Sequence, residues 1–101
     1  MKRVGFSSRG IDSFGSNGFF HTRVARGELQ ASLAQLDGVI GGHEAASQQL
    51  LVVLAGRVEC STRDERVEVG VGDAVLWQEG EWHETRSLEP SQLLLLEGAF
   101  E

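Results

Sequence analysis

Glycines and short polar turns divide this chain into brief apolar segments, and that pattern restricts it to an antiparallel all-β fold. Residues 66–71 carry valine at every second position, which is the period of a half-buried strand. Residues 50–54 are continuous leucine and valine, and residues 93–96 are continuous leucine. Segments of this length between turn residues are typical of strands. We therefore predict about eight short strands in a single antiparallel sandwich or barrel.

The predicted domain begins after a short N-terminal arm. Residues 1–17 are rich in glycine and serine and are predicted to be irregular, whereas residues 18–101 form the barrel. Residues 29–36 could be helical by propensity, but the neighbouring turn signals favour a strand. The only proline, Pro90, is predicted to lie in the loop before the last strand. The predicted strands are residues 19–25, 29–36, 50–54, 57–61, 66–71, 74–77, 82–86 and 92–96.

Composition excludes several classes of partner. The formal net charge is −6 and the basic residues are scattered, so the clustered cations that nucleic acids require are missing. The single cysteine, Cys60, excludes an internal disulfide and a thiolate zinc cluster. No apolar signal segment follows the N-terminus, and the longest apolar run, residues 50–55, is far below the ~20 residues that span a bilayer. We expect a cytoplasmic protein that binds neither nucleic acid nor membrane.

Two apolar runs predict a subunit interface. Residues 50–54 and 93–96 are apolar on both faces of their strands, whereas a small barrel covers only the inner face. The outer face is most simply covered by a second copy of the chain, so we expect a homodimer.

The first of two histidine-containing segments resembles the first signature motif of the cupin superfamily. That motif places a glycine, two histidines, a glutamate and a closing glycine in this order. His43 takes the position of the first histidine, and Gly56 takes that of the closing glycine. Ala45 and Gln49 stand where the second histidine and the glutamate would be, and the leading glycine is displaced to Gly38.

The second segment resembles the second cupin motif. Gly72, Gly80 and His83 match its spacing, while Gln78 replaces a proline and Ser87 replaces an asparagine. Both motifs occur in the expected order over residues 38–87. The resemblance implies a jelly-roll β-barrel of the small, single-domain cupin type.

The resemblance also implies a metal site inside the barrel. The motif histidines of cupins point inward and bind a divalent ion, and the glutamate adds a further ligand. Carried to this chain, that set is His43, Gln49 and His83, with Zn, Fe, Mn or Ni as candidate ions. An amide oxygen is a poorer ligand than a carboxylate and carries no charge. The alternative is that both histidines line a metal-free barrel and are hydrogen-bonded to Gln49 or to water.

Strand parity gives these candidates a common interior face. In a regular strand Gln49, Leu51 and Val53 point to one side, and His83 and Thr85 share a side in theirs. A tryptophan next to the second motif can wall a pocket by stacking on a ligand. The predicted ligand pocket is lined by Leu51, Val53, Trp77 and Thr85.

Four other features receive structural interpretations. His21 is expected to be half-exposed, and it joins the site only if its strand reaches the barrel mouth. Cys60 is expected to pack rather than react. Gly41-Gly42 is expected to let the chain turn tightly into the His43 strand. Trp82, opposite in parity to His83, is expected to cover an interface or the surface.

Two main functions remain open. The first is a small stand-alone cupin that binds a small molecule in its barrel, with or without a divalent metal. The alternative is a metal-dependent cupin enzyme of the dioxygenase, isomerase or lyase type that uses His43 and His83. The missing carboxylate favours the first. A purely structural or regulatory dimer is a third possibility.

Overall fold

Seven strands and one short 3₁₀ turn make up the computed structural model, which describes residues 1–100. All strand pairings are antiparallel. None of the helical structure in residues 1–100 has the length and hydropathy to cross a bilayer. The strands are β1 (Ser8–Ile11), β2 (Asn17–Ala25), β3 (Gln30–Glu44), β4 (Gln48–Ser61), β5 (Arg66–Gly70), β6 (Ala74–Trp77) and β7 (Trp82–Gly98), and the 3₁₀ turn covers Ser13–Gly15.

The long strands β3, β4 and β7 each pass through both layers of the fold. The first layer has the order β1-β2-β3-β7-β4-β6, using the first halves of β3 and β4 and the second half of β7. The second layer has the order β3-β7-β4-β5, using the remaining halves. Two antiparallel layers that share long strands form a jelly roll. The predicted all-β, antiparallel jelly-roll fold is therefore confirmed.

The long strands change layer at bulges. The β3–β7 register shifts between Leu36 and Val39, and the β4–β7 register shifts between Val53 and Val58. Gly56 lies inside the second shift with a φ of 85°, a left-handed conformation that glycine adopts without steric cost. Such bulges bend a strand while its pairing continues on both sides.

Two serines satisfy the backbone where the strands bend. The Ser87 hydroxyl accepts a hydrogen bond from the Gly38 N–H at 2.7 Å and donates to the Gly38 carbonyl at 3.1 Å. The Ser91 hydroxyl accepts from the Arg57 N–H at 3.1 Å. Because an unpartnered backbone group is costly once it leaves water, these contacts fix the positions of both corners.

The core lies between the two layers and contains alternate residues of the long strands. Along β7, residues 91, 93 and 95 are buried, and the residues between them are half-buried or exposed. The same alternation in β4 buries Leu51 and Val53, which confirms the predicted parity of that strand. The buried cluster consists of Phe19, Ala34, Leu36, Ile40, Leu51, Val53, Val58, Cys60, Val69, Trp77, Leu93 and Leu95.

Three local predictions were wrong. The N-terminal arm, residues 1–17, is not wholly irregular, because Ser8–Ile11 pairs with β2 as the edge strand of the first layer. Residues 50–54 and 57–61 belong to one strand, as do residues 82–86 and 92–96, since the bulges bend these strands without ending them. Pro90 lies within β7 rather than in a loop. It has no register partner on β3 or β4, so its missing N–H breaks no ladder.

Candidate functional site

His43 and His83 face each other from neighbouring strands. They are register partners in the β3–β7 pairing, which puts both side chains on the same face of the layer. Their ring centroids are 4.5 Å apart and the ring planes are tilted by 55°. The fold thus brings together the two histidines that the motifs selected.

Backbone contacts fix the same tautomer in both rings. His43 Nδ1 lies 2.8 Å from the Gly41 carbonyl oxygen, and His83 Nδ1 lies 3.2 Å from the Glu81 carbonyl oxygen. A carbonyl can only accept, so each Nδ1 carries the proton and donates it. In the neutral ring, Nε2 is then left with a free lone pair. Histidines that bind metals are oriented in this way, through the nitrogen that does not bind.

His83 is buried and one of its nitrogens has no partner. The residue is 2% exposed, and its Nε2 is the one buried side-chain nitrogen or oxygen within residues 1–100 without a hydrogen bond. Burial lowers the pKa of His83, and the neighbouring His43 lowers it further, against the opposing effect of the Glu81 carbonyl. The ring is therefore neutral near pH 7, and an unpartnered buried acceptor marks a place where a ligand, an ion or a water can bind.

Aromatic rings enclose the histidine pair. Trp77 stacks on His83 with centroids 4.3 Å apart, and Phe14 stacks on His43 with centroids 4.4 Å apart. Phe14 lies in the 3₁₀ turn with a φ of 58°, a conformation that is strained for a residue with a β-carbon. The backbone of Phe14 is thus held in a strained conformation at the point where the Phe14 ring covers His43.

Gly41 and Gly42 allow close packing beside the site rather than a tight turn. Neither glycine has a positive φ, and both lie inside β3, so the predicted turn was wrong. A β-carbon at Gly41 would overlap the Phe14 carbonyl oxygen, and one at Gly42 would overlap the Trp82 ring. Trp82 also lies under the Arg63 guanidinium, 5.0 Å from its carbon. Trp82 therefore covers the surface beside β3, which is one of the two roles, interface or surface cover, predicted for it.

Glu97 is a site residue that the sequence reasoning missed. Its Oε1 accepts a hydrogen bond from Gln49 Nε2 at 2.9 Å, because Gln49 and Glu97 are register partners on β4 and β7. A carboxylate is thus present at the site, supplied from beyond both motifs. Residues 83, 85, 91, 93 and 95 of β7 are buried, and Glu97 has the same parity, so a count along the strand from His83 is the signal that could have identified it.

His43 borders a cavity of about 270 Å³, and His83 lies behind it as its register partner. His43, Gln49 and Glu97 contribute its polar lining, and the 3₁₀ turn and β1 lie at its mouth. The apolar part of the lining includes Ile11, Phe14, Phe19, Ile40 and Leu95. A concave, largely apolar space with a few convergent polar groups is typical of a small-molecule site.

The four predicted pocket residues lie elsewhere in the core. Leu51, Val53 and Thr85 are at most 1% exposed and do not line the cavity beside His43. Trp77 borders a separate small space of about 70 Å³ and reaches the site only through its stack on His83. Their role as ligand contacts stays a prediction.

His21 and Cys60 occupy the environments expected of them. His21 is half-buried and lines the mouth of the cavity, so β2 does reach the barrel mouth. Cys60 is 2% exposed, and burial raises the pKa of its thiol to about 11. A buried protonated thiol is a poor nucleophile, which agrees with a packing role.

The donor set fits a divalent ion only partly. Within residues 1–100, no three or more His, Cys, Asp and Glu side chains form a metal-binding cluster. The two imidazoles, with free Nε2 lone pairs, are suitable for Zn, Fe or Ni. The side-chain nitrogen of Gln49 is engaged by Glu97. The residues present therefore fit an ion held by His43 and His83, with its other positions filled by water or a bound molecule.

Comparison with known proteins identifies the family. The profile of the cupin domain named Cupin_2 matches residues 37–97, a range that contains both histidines and Glu97. The chain belongs to the Cupin_2 family. No curated protein sequence matches this cupin.

Solved structures share its fold over most of the chain. An RmlC-like cupin from Shewanella frigidimarina superposes with a TM-score of 0.81 at 16% identity, covering 95% of this chain and 86% of the other. A cupin superfamily protein from Desulfitobacterium hafniense has a TM-score of 0.76 at 17% identity, with 83% and 80% covered. KdgF from Halomonas sp. has a TM-score of 0.74 at 26% identity, with 83% and 82% covered. These similarities support the jelly-roll cupin fold.

Proposed function

We propose that this cupin binds a small molecule in the cavity that His43 lines, with His43 as its polar contact and His83, the register partner behind it, contacted where a bound group enters between the two rings. The observation that carries the proposal is the pair of imidazoles with fixed Nδ1 protons, one of which has a buried, unpartnered Nε2. A purely structural histidine would be expected to satisfy both nitrogens, because burying an unsatisfied polar atom costs about 1–3 kcal/mol. A hydroxyl or amide hydrogen of a ligand would supply the missing donor.

A divalent ion is compatible with the same site. His43 and His83 would hold it through Nε2, and an ion there would act as a Lewis acid toward a bound oxygen atom. The chain orients both rings through their Nδ1 contacts and stacks Phe14 and Trp77 on them. Glu97 holds the Gln49 amide at the cavity wall, where it can orient a bound molecule.

A metal-dependent cupin enzyme of the dioxygenase, isomerase or lyase type is the second candidate. The free Nε2 of His83 favours it, since a metal-binding histidine coordinates the ion through one ring nitrogen while the other donates its proton to a backbone carbonyl. The Glu97 carboxylate offers a negative group near the site that the motifs lack. The two candidates differ in whether the protein holds an ion when purified.

Analysis of the bound species tests the proposal. Tag-free protein, purified without chelators, would be compared by elemental analysis and by native against denaturing mass spectrometry, in the wild type, His43→Gln and His83→Gln. Glu84→Gln is the matched control, because Glu84 follows His83 in β7 and points to the opposite face. We expect a bound metal or small molecule in the wild type and the control, reduced at least about tenfold in occupancy in both histidine variants. Equal occupancy in all four proteins would contradict the location of the site.

We also propose that a second copy of the chain covers the outer face of the first layer. Adjacent outward positions on its central strands form two apolar rows, Leu33–Leu94–Val52 and Ala31–Leu96–Leu50. Neither row contains a charged residue, and Leu54 beside them is 42% exposed. An uncharged face can stack on its own copy without the like-charge repulsion expected elsewhere on a chain of net charge −6.

Sedimentation of two variants tests this interface. Leu94→Glu places a charge in the middle of one apolar row, and Val67→Glu, in the half-exposed position of β5, is the control on the other layer. We expect a wild-type dimer, a dimer for the control and a folded monomer for Leu94→Glu. A wild-type monomer at about 100 µM would contradict the proposal, and so would a Leu94→Glu dimer.

A further inference from the structure

Two arginines and a histidine, Arg9, Arg23 and His21, form a cluster at the mouth of the cavity. Arg9 and His21 are register partners in the β1–β2 pairing, so their side chains project from one face. Arg23, two residues along β2, has the same parity as His21. Its register partner on β3 is Ser32, which is 3% exposed and faces the interior. Together with Ser7, these residues line a recess of about 220 Å³.

The two arginines have no carboxylate partner within residues 1–100. The ion pairs there join Arg57 to Glu68 and Arg86 to Glu84, both in the other layer. Two guanidinium groups beside the cavity are therefore unpaired, although the chain has more acidic than basic residues. Guanidinium groups bind carboxylates and phosphates through paired N–H donors, so these two are free to bind an anion.

The recess lies next to the main cavity and shares two lining residues with it. Arg9 and His21 line both spaces. Burial lowers the pKa of His21, and its neighbours act in opposite directions, since Glu97 raises it and Arg23 and Arg9 lower it. These influences show that the arginines and Glu97 share one electrostatic environment at the mouth.

The charges at the mouth do not balance. Arg9 and Arg23 contribute two positive charges, and Glu97 contributes one negative charge, which leaves a single positive charge uncompensated. A monoanion would neutralise it, whereas a dianion would leave an excess of negative charge beside the half-buried Glu97 carboxylate. Past the charged mouth the lining includes Ile40 and Leu95, which lie between the arginines and His43.

We infer that the ligand of this cupin is a small monocarboxylate, with its carboxylate held by Arg9 and Arg23 and its body directed along the apolar wall toward His43. The inference rests on the proposed function, because it names the chemical class that the same cavity takes. The volume of about 270 Å³ is below the range that holds drug-sized molecules, so the ligand is small. Arg9 and Arg23 provide specificity at one end, and His43 contacts a hydrogen-bond donor at the other.

A titration with matched acids and amides tests the inference. The probes are butyrate, 2-hydroxybutyrate and benzoate, each beside its primary amide, with phenyl phosphate as the dianion. Binding is followed by amide shifts in ¹H–¹⁵N spectra of the wild type, Arg9→Gln, Arg23→Gln and the double variant. Arg26→Gln is the control, because Arg26 is exposed beyond the end of β2. We expect at least one acid to bind about tenfold more tightly than its amide, with shifts in β1 and β2.

The variants separate this inference from the proposed function. We expect the double variant to weaken acid binding at least about tenfold, to the affinity of the amide, while Arg26→Gln binds as the wild type does. If acid and amide bind equally, or if no acid binds at 20 mM, the inference is overturned. Preferred binding of phenyl phosphate would also overturn it. If the amides bind and His43→Gln abolishes that binding, the proposed function stands without the carboxylate.

Discussion

Replacing Phe14 separates the two structural roles that this residue combines. Its ring stacks on His43, and its φ of 58° costs a non-glycine residue about 1–2 kcal/mol. The residue is 63% exposed, so its ring buries roughly 70 Å² of the ~200 Å² of a phenylalanine. At ~25 cal/mol per Å², that burial stabilises the fold by about 2 kcal/mol. Phe14→Ala should therefore lower the free energy of unfolding by about 2 kcal/mol. Phe14→Gly also removes the ring, but it relieves the backbone, so it should lose about 1 kcal/mol less.

Urea unfolding followed by tryptophan fluorescence measures both effects. Phe6→Ala is the control, because Phe6 lies in the exposed N-terminal segment before β1 and should change stability by less than about 0.5 kcal/mol. Both Phe14 variants should also speed the modification of His43 by diethyl pyrocarbonate, since the ring covers that histidine. A loss below about 0.5 kcal/mol in Phe14→Ala would refute the stacking contribution. A glycine variant less stable than the alanine variant would refute the argument from backbone strain.

Three further results follow from the core, a corner and the packing beside the site. Because the pKa of Cys60 is raised from 9.0 to about 11, its contribution to stability is complete below pH 9 and is lost as the pH rises toward 11. The native thiol should resist iodoacetamide at pH 8 while urea-unfolded protein reacts, and fast native labelling would contradict this. Ser91→Ala removes the acceptor of a backbone N–H at the β4 bend and should cost about 1–3 kcal/mol in urea unfolding. Ser47→Ala should cost under about 0.5 kcal/mol, and equal losses would argue against the corner. Gly41→Ala should cost about 1–3 kcal/mol and shift the amide signals of residues 13–15, because its β-carbon overlaps the carbonyl of Phe14. Unchanged signals would show that the packing is looser than described.

The fold could be predicted because strand period and turn residues are local signals. Strand parity counted from Gln49 identified the buried face of β4, with Leu51 and Val53 inside. The ends of the strands were less predictable, because a bulge is stabilised by distant contacts. The bend at Gly56 is held by Ser91 from another strand, and nothing near Gly56 in the sequence indicates that pairing continues beyond it.

Only those site residues that lie within the two motifs were predicted. They selected His43 and His83, which the β3–β7 register makes direct neighbours. Glu97 and the arginines of β1 and β2 lie outside both motifs, and only the jelly-roll topology brings their strands to one cavity mouth. The predicted pocket residues had the inward parity expected of them, but parity gives the face of a strand and not the depth at which a cavity opens.

The central claim is that His43 and His83 each donate the Nδ1 proton to a backbone carbonyl and leave Nε2 as the nitrogen available to a ligand. Long-range ¹H–¹⁵N correlation spectra of the imidazoles at pH 7.5, assigned with His43→Gln and His83→Gln, observe this directly. We predict a proton on Nδ1 of both rings and an Nε2 shift that changes when the cavity is filled. An Nδ1 without a proton in either ring would contradict this, because it could not donate to the backbone carbonyl beside it.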